Sequence, residues 1–156
     1  MTTQAQPSLQ VHLHELPAHE VVCLTCQVDQ VTGHFSTQLA DGFAQVKQWA
    51  SHQGALGTAL LIIGIPHVVE RRLLVYDCCV QRPNTTLPVL QGWGTKHLPG
   101  GRYAVLTLDK DSATIGERIG QFFAEYVPNH QLILDATRPS YEVYYAQTMD
   151  YCVPIA

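Results

Sequence analysis

Tyr103-Ala104-Val105-Leu106-Thr107 stands 82 positions beyond Val21-Val22-Cys23-Leu24-Thr25. Both pentapeptides are apolar, rich in β-branched residues and end on threonine, so each reads as a buried strand. A helical pattern follows each one. Between Gly33 and His52, Leu39, Phe43, Val46 and Ala50 recur three and four positions apart, with Trp49 alongside. That spacing lays them on one face of an amphipathic helix, which Gly54 and Gly57 would close. In the second stretch Ile115, Ile119, Phe122, Phe123 and Tyr126 form the same kind of face, with Ser112 as N-cap and Pro128 as the stop.

Three strands are expected after each helix. In the first half they are Ala59 to Ile65, ending at Pro66, then Leu73 to Val80, and Val89 to Leu98, broken by Gly92 and Gly94. Pro83 to Pro88 forms a loop, and Pro99-Gly100-Gly101 is a turn. The second half offers Gln131 to Asp135, Tyr141 to Tyr145 and Tyr151 to Ile155. Tyr76-Asp77-Cys78-Cys79 matches Tyr141-Glu142-Val143-Tyr144 in type and place. The expected fold is therefore α+β: two strand-helix-strand-strand(-strand) units related by a pseudo-twofold. Short connections imply an antiparallel sheet with the helices on one face and a central ligand cleft. Met1 to Gln10 is read as a loose leader, 11–156 as a single domain, and the copies as 11–98 and 99–156.

Composition narrows the function. The 156 residues carry nine Lys+Arg against thirteen Asp+Glu, a net −4 that speaks against a basic nucleic-acid-binding stripe. A hydrophobic share of 46% excludes general disorder, and the longest apolar run, Ala59 to Pro66, is far short of a membrane span. Five cysteines without framework spacing, and no secretory signal, point to reduced thiols in the cytoplasm. Cys23 and Cys26 spell C-x-x-C, but strand alternation turns them to opposite faces, and no second pair completes a zinc site. His12 and His14 share a strand face without a nameable third ligand. No phosphate-cradling or nucleophile-elbow motif is present, and no cofactor is expected.

Four segments resemble the gyrase-inhibitor-like small-molecule-binding domains, also known as AraC-type effector-binding domains. They are Gly42-Phe43-Ala44-Gln45-Val46-Lys47-Gln48-Trp49, Tyr76-Asp77-Cys78-Cys79-Val80, Leu98-Pro99-Gly100-Gly101-Arg102-Tyr103-Ala104-Val105, and Arg138-Pro139-Ser140-Tyr141-Glu142-Val143-Tyr144, the last followed by Tyr151-Cys152-Val153-Pro154-Ile155. The resemblance runs from Val11 almost to the end of the chain. It implies the duplicated fold, a cleft between the copies, and binding of hydrophobic, often cationic compounds. Relatives include transcription regulators with a fused helix-turn-helix, which the match leaves no room for here, as well as gyrase inhibitors and hydrolases of cyclopropane-bearing drugs. One departure stands out: Gly64-Ile65-Pro66-His67 occupies the place of the family's Tyr-Asp-Asp/Asn-Pro turn.

Glu142 is the principal site candidate. It interrupts an aromatic and β-branched run, Tyr141 to Tyr145, and a carboxylate desolvated there loses several kcal/mol unless paired or protonated. By pattern alone a solvated Glu on an outer strand face is the commoner arrangement. The resemblance reverses that balance, because the family's equivalent Glu meets the ligand's positive charge. Alternation places Tyr144 beside Glu142, where its ring would add roughly 0.5–2 kcal/mol of cation–π attraction. Asp77 is either a second cleft carboxylate or a solvated, loop-capping one. Trp93, flanked by glycines, is either a ligand plate or core closure. Tyr103 and Trp49 are further ligand-binding candidates for which ordinary packing competes.

Three functions follow from these residues. The first is a stand-alone module binding amphipathic, cationic aromatic molecules, with sequestration or regulation as its output. The second is a hydrolase of strained rings using Glu142 as general acid or base. The third is a gyrase-inhibitor-like factor with a protein partner. Binding rather than catalysis is the expectation, with no nucleic acid or membrane as direct partner.

Overall fold

The computed structural model describes residues 9–31, 37–52, 60–69, 72–82, 89–110 and 114–156. Its elements are β1 (Gln10–Leu16), β2 (His19–Val31), α1 (Thr37–His52), β3 (Ile62–Val69), β4 (Arg72–Gln81), β5 (Gly94–Leu98), β6 (Gly101–Asp109), α2 (Ile115–Gln121), β7 (Tyr141–Tyr144) and β8 (Thr148–Pro154). α2 continues through a π-helical stretch, Phe122–Tyr126, into a last turn, α3 (Val127–Asn129). Among the described residues no helix is long and apolar enough to cross a membrane.

All eight strands form one antiparallel sheet in the order β1-β6-β8-β7-β3-β4-β2-β5. Exchanging β1 with β5, β2 with β6, β3 with β7 and β4 with β8 returns the same order read backwards, which is the signature of the pseudo-twofold. The axis passes between β3 and β7, where Gly64 faces Glu142 in register. Side chains repeat the symmetry: Thr25 bonds to Asp77 at 2.5 Å across β2 and β4, and Thr107 to Asp150 at 2.9 Å across β6 and β8. This corrects the strand match drawn from the sequence. The counterpart of Asp77 is Asp150, whereas Glu142 has Gly64 opposite it.

Connectivity forces the sheet to curl. β1 and β2 lie six places apart, about 29 Å if the sheet were flat, yet two residues, Pro17 and Ala18, join them. Two linking residues reach about 11 Å at most. β5 and β6 are also six places apart, and Pro99 and Gly100 make that join. The two ends of the sheet therefore meet at one end of the strands, making a half-barrel. Its helix-free inner face fills itself with Val21, Cys23, Ile63, Cys79, Tyr103, Tyr141 and their neighbours. The outer face carries both helices: Leu39, Phe43, Val46, Trp49 and Ala50 of α1 pack on Val22, Tyr76, Cys78 and Val80. The second helix lays Phe122 on Ala104, Leu106, Met149 and Val153.

Local departures from the sequence pattern have identifiable causes. β3 runs through Pro66 to Val69 because β7 pairs only with Ile62 to Gly64, so on that side no ladder partner needs the proline's missing N–H. Gly64 to His67 is accordingly strand interior, not a turn. The strand expected over Val89 to Leu98 begins only at Gly94, after a turn in which Gly92 has φ +88°. Gln131 to Asp135 contributes a single bridge, Leu134 to Ile155, rather than a strand. Within the second helix the N–H of Val127 reaches back five residues to Phe122, which widens the turn just ahead of Pro128. Ser112, Gly54, Gly57 and the Pro83 to Pro88 loop lie outside the described residues.

Candidate functional site

β7 is short and central, and its alternation turns Tyr141 and Val143 inward and Glu142 and Tyr144 outward, beneath the helix layer. Glu142 is 9% exposed. Gly64, opposite it on β3, has no side chain, and Tyr76 of β4 uses that space: a Cβ at Gly64 would lie 1.8 Å from the Tyr76 hydroxyl. The phenol thus crosses β3 and donates to Glu142 Oε1 at 2.5 Å. The Tyr144 hydroxyl donates to the same oxygen at 3.0 Å and stands 2.7 Å from the Tyr76 hydroxyl. Phe43 of α1 sets its ring edge-on against both tyrosines, with centroids 5.9 and 5.2 Å away. Tyr144 also touches the core beneath the second helix, so the carboxyl group lies where the two helix-covered cores meet.

Burial pushes the Glu142 carboxyl above its ordinary range, and the two phenols only partly oppose it. Burial and then the neighbouring Glu142 raise Tyr76 and Tyr144. Tyr151, in register with Glu142 on β8, is pushed up to about 12, chiefly by burial. Among the described residues no cation pairs with Glu142. Arg138 binds Asp135 at 2.9 Å and the carbonyls of Arg102 and Ile155, and stacks over Tyr103 on the inner face. Lys110 lies 6.0 Å from the Tyr144 ring centroid and donates to the Tyr145 carbonyl.

The other sequence candidates separate by face. Trp49 and Trp93 share the outer core with Tyr76 and Tyr144, their rings tilted and 6.2 Å apart, and the buried Trp49 Nε1 has no hydrogen-bond partner among the described residues. Asp77 and Tyr103 point to the inner face, so neither shares a cleft with Glu142. Of the two readings of Asp77, this overturns the paired carboxylate, and its full burial overturns the solvated one. Asp77 is fully buried and held by Thr25 Oγ1 at 2.5 Å, His67 Nε2 at 2.8 Å and the Lys96 ammonium. Burial raises its pKa, but these contacts outweigh that and leave it lowered. Tyr103 spends its hydroxyl on the Pro99 carbonyl at 2.5 Å. Sequence reasoning missed Tyr76 and Phe43 as site residues. The available signal was Gly64, since a glycine inside a strand marks a close approach by something else. Among the described residues no three His, Cys, Asp or Glu come together in a way that could hold a metal ion.

Comparison with known proteins agrees with this architecture. YosT, an SPbeta prophage-derived protein of Bacillus subtilis (strain 168) whose name assigns it to transcriptional regulation, is 28% identical over 146 residues, spanning 91% of this chain and 93% of its own. The C-terminal domain of EcmrR superposes with a TM-score of 0.71 at 10% identity, covering 95% of this chain and 98% of that one. SAV2435, solved bound to tetraphenylphosphonium, superposes with a TM-score of 0.51 at 14% identity, with 94% of each chain covered. The family model for the GyrI-like small molecule binding domain matches residues 9–156, and the chain belongs to that family.

Proposed function

We propose that this small-molecule-binding domain takes amphipathic organic cations and sets their charge against Glu142. The observation that carries the reading is a buried carboxyl group held by two phenols, with no cation of the protein beside it among the described residues. Leaving such a group uncompensated costs several kcal/mol, which a bound cation offsets. Tyr144, Phe43 and the Trp49–Trp93 pair supply aromatic walls, and cation–π contact adds roughly 0.5–2 kcal/mol. Asp77 and Tyr103 are left out of this site because they face the opposite side of the sheet. Tetraphenylphosphonium on the similarly folded SAV2435 supports the ligand class. Affinity in the micromolar range, about −8 kcal/mol, suits loose recognition of this kind. Sequestration or control of a partner would be the output.

Trp49 and Trp93 are the chain's two tryptophans, so their fluorescence reports on the site. Titration with tetraphenylphosphonium is expected to quench it saturably, and Glu142→Gln to weaken binding at least tenfold. Undiminished binding by Glu142→Gln rejects the reading. Recovery of a strained-ring substrate as a hydrolysed product would instead make Glu142 a general acid.

A further inference from the structure

Four of the five cysteines lie on the β2–β4 ladder, in pairs on opposite faces. Cys26 and Cys78 lie under α1, offset along the strands, with sulfurs 3.9 Å apart. Cys23 and Cys79 are directly opposed in register on the inner face, their sulfurs 2.7 Å apart, and are 2% and 0% exposed. Directly opposed residues of antiparallel strands hold their Cβ atoms near the separation a disulfide spans, whereas diagonal pairs hold them farther apart.

We infer that Cys23 and Cys79 are an oxidation site: a reversible cross-strand disulfide formed by a hydroperoxide, independent of the Glu142 site. Three observations bear on it. Direct opposition lets the bond form without sliding the strands. Gly94, the register partner of Cys23 on β5, leaves open space on that face, since a Cβ placed there meets nothing within 4 Å. β5 is an edge strand, and on it Lys96, whose side chain is 42% exposed, is the inward-facing neighbour of Gly94, so this edge is the side from which a small oxidant would approach Cys23. The hydrogen bond to Cys23, and then burial, raise the Cys79 thiol well above its ordinary range, which casts it as the second, resolving sulfur.

In the first step the Cys23 sulfur attacks the terminal peroxide oxygen and gives up its proton. The O–O bond breaks, a sulfenic acid forms, and the leaving oxygen takes up that proton and departs as the alcohol (water, for hydrogen peroxide). Cys79 sulfur then attacks the Cys23 sulfur, the S–O bond breaks, and hydroxide leaves as water with the Cys79 proton. Two thiols lose two electrons and two protons, and the peroxide is reduced.

The test treats the full chain with hydrogen peroxide, blocks remaining thiols with iodoacetamide in denaturant, and maps the peptides by mass spectrometry. Two of the five thiols should be protected, in a Cys23–Cys79 cross-link that a dithiol reductant removes. Cys23→Ser should abolish the cross-link, Cys152→Ser should leave it intact, and Gly94→Val, which fills the open space, should slow it several-fold. A Cys26–Cys78 cross-link, a persistent sulfinic acid at Cys23, or five thiols still open to iodoacetamide overturns the inference. Mapping on the unmodified sequence decides the matter even where a serine variant fails to fold.

Discussion

At the scale of single residues, two buried carboxyl groups with one strand between them behave in opposite ways. Glu142 has two phenols and, among the described residues, no cation, so burial wins and its pKa rises. Folding then favours the protonated acid. The stability from this group is complete below the unfolded pKa, about 4.3, and is lost as pH rises through the folded value. Glu142→Gln removes that dependence. The melting temperature of the natural chain should fall relative to the Gln variant as pH is raised from 4 to 8, and parallel curves would show that Glu142 is ionised without cost. Asp77 has Thr25, His67 and Lys96, and its pKa is lowered despite burial. Its stability is present above an unfolded pKa near 4 and is lost as pH falls through the folded one. With Lys96 42% exposed, solvent screens part of that pair. Asp77→Asn should cost about 2 kcal/mol in urea unfolding at pH 7 while leaving tetraphenylphosphonium binding intact. A loss of binding without loss of stability would return Asp77 to the site.

At the scale of elements, the site depends on what β3 lacks. Gly64→Ala places a methyl group 1.8 Å from the Tyr76 hydroxyl and 2.6 Å from its Cζ, and the ring must leave Glu142. The expected cost is about 1–3 kcal/mol, together with weaker cation binding. Adding Tyr76→Leu should recover stability but not binding, which separates packing from the hydrogen bond. α2 gives the contrast. Gly120 lies in an exposed helical turn with open space around its Cβ position, so Gly120→Ala should raise stability by about 0.5–1 kcal/mol in the same assay. Helix periodicity and strand alternation were legible in the sequence because they follow from side-chain geometry within one element. Tyr76 meeting Glu142 was not, because it requires two strands and the gap in a third.

Across the whole molecule, the two short joins that draw the sheet into a half-barrel meet at Gly100. A Cβ there would lie 2.8 Å from the Ala18 nitrogen and 2.9 Å from the Leu16 carbonyl oxygen, backbone atoms that cannot swing aside. Gly100→Ala should therefore cost about 1–3 kcal/mol and loosen both joins, read as faster amide exchange at Leu16 to His19 and Leu98 to Gly101. Unchanged exchange would show that the curl is held elsewhere. Strand register also decides which acids share a face of the sheet. The inner face is closed on itself and holds Asp77, while the outer face is divided between two helices and holds Glu142.

Taken alone, the amino-acid order determined the repeat, the amphipathic faces and the α+β class, since each is a matter of spacing along one chain, while Glu142 stood out from a solvated strand-face Glu only through the family resemblance. The order also matched Thr25 with Thr107, which the structure places as equivalent partners of Asp77 and Asp150. Only the tertiary structure decided strand order, and with it which face each acid occupies. Pairing β3 with β7 put an empty glycine across from Glu142, let Tyr76 in, and sent Asp77 to the far side of the sheet. Register between strands distant in sequence is set by the packing of the whole sheet, and a shift of one residue would exchange the two faces.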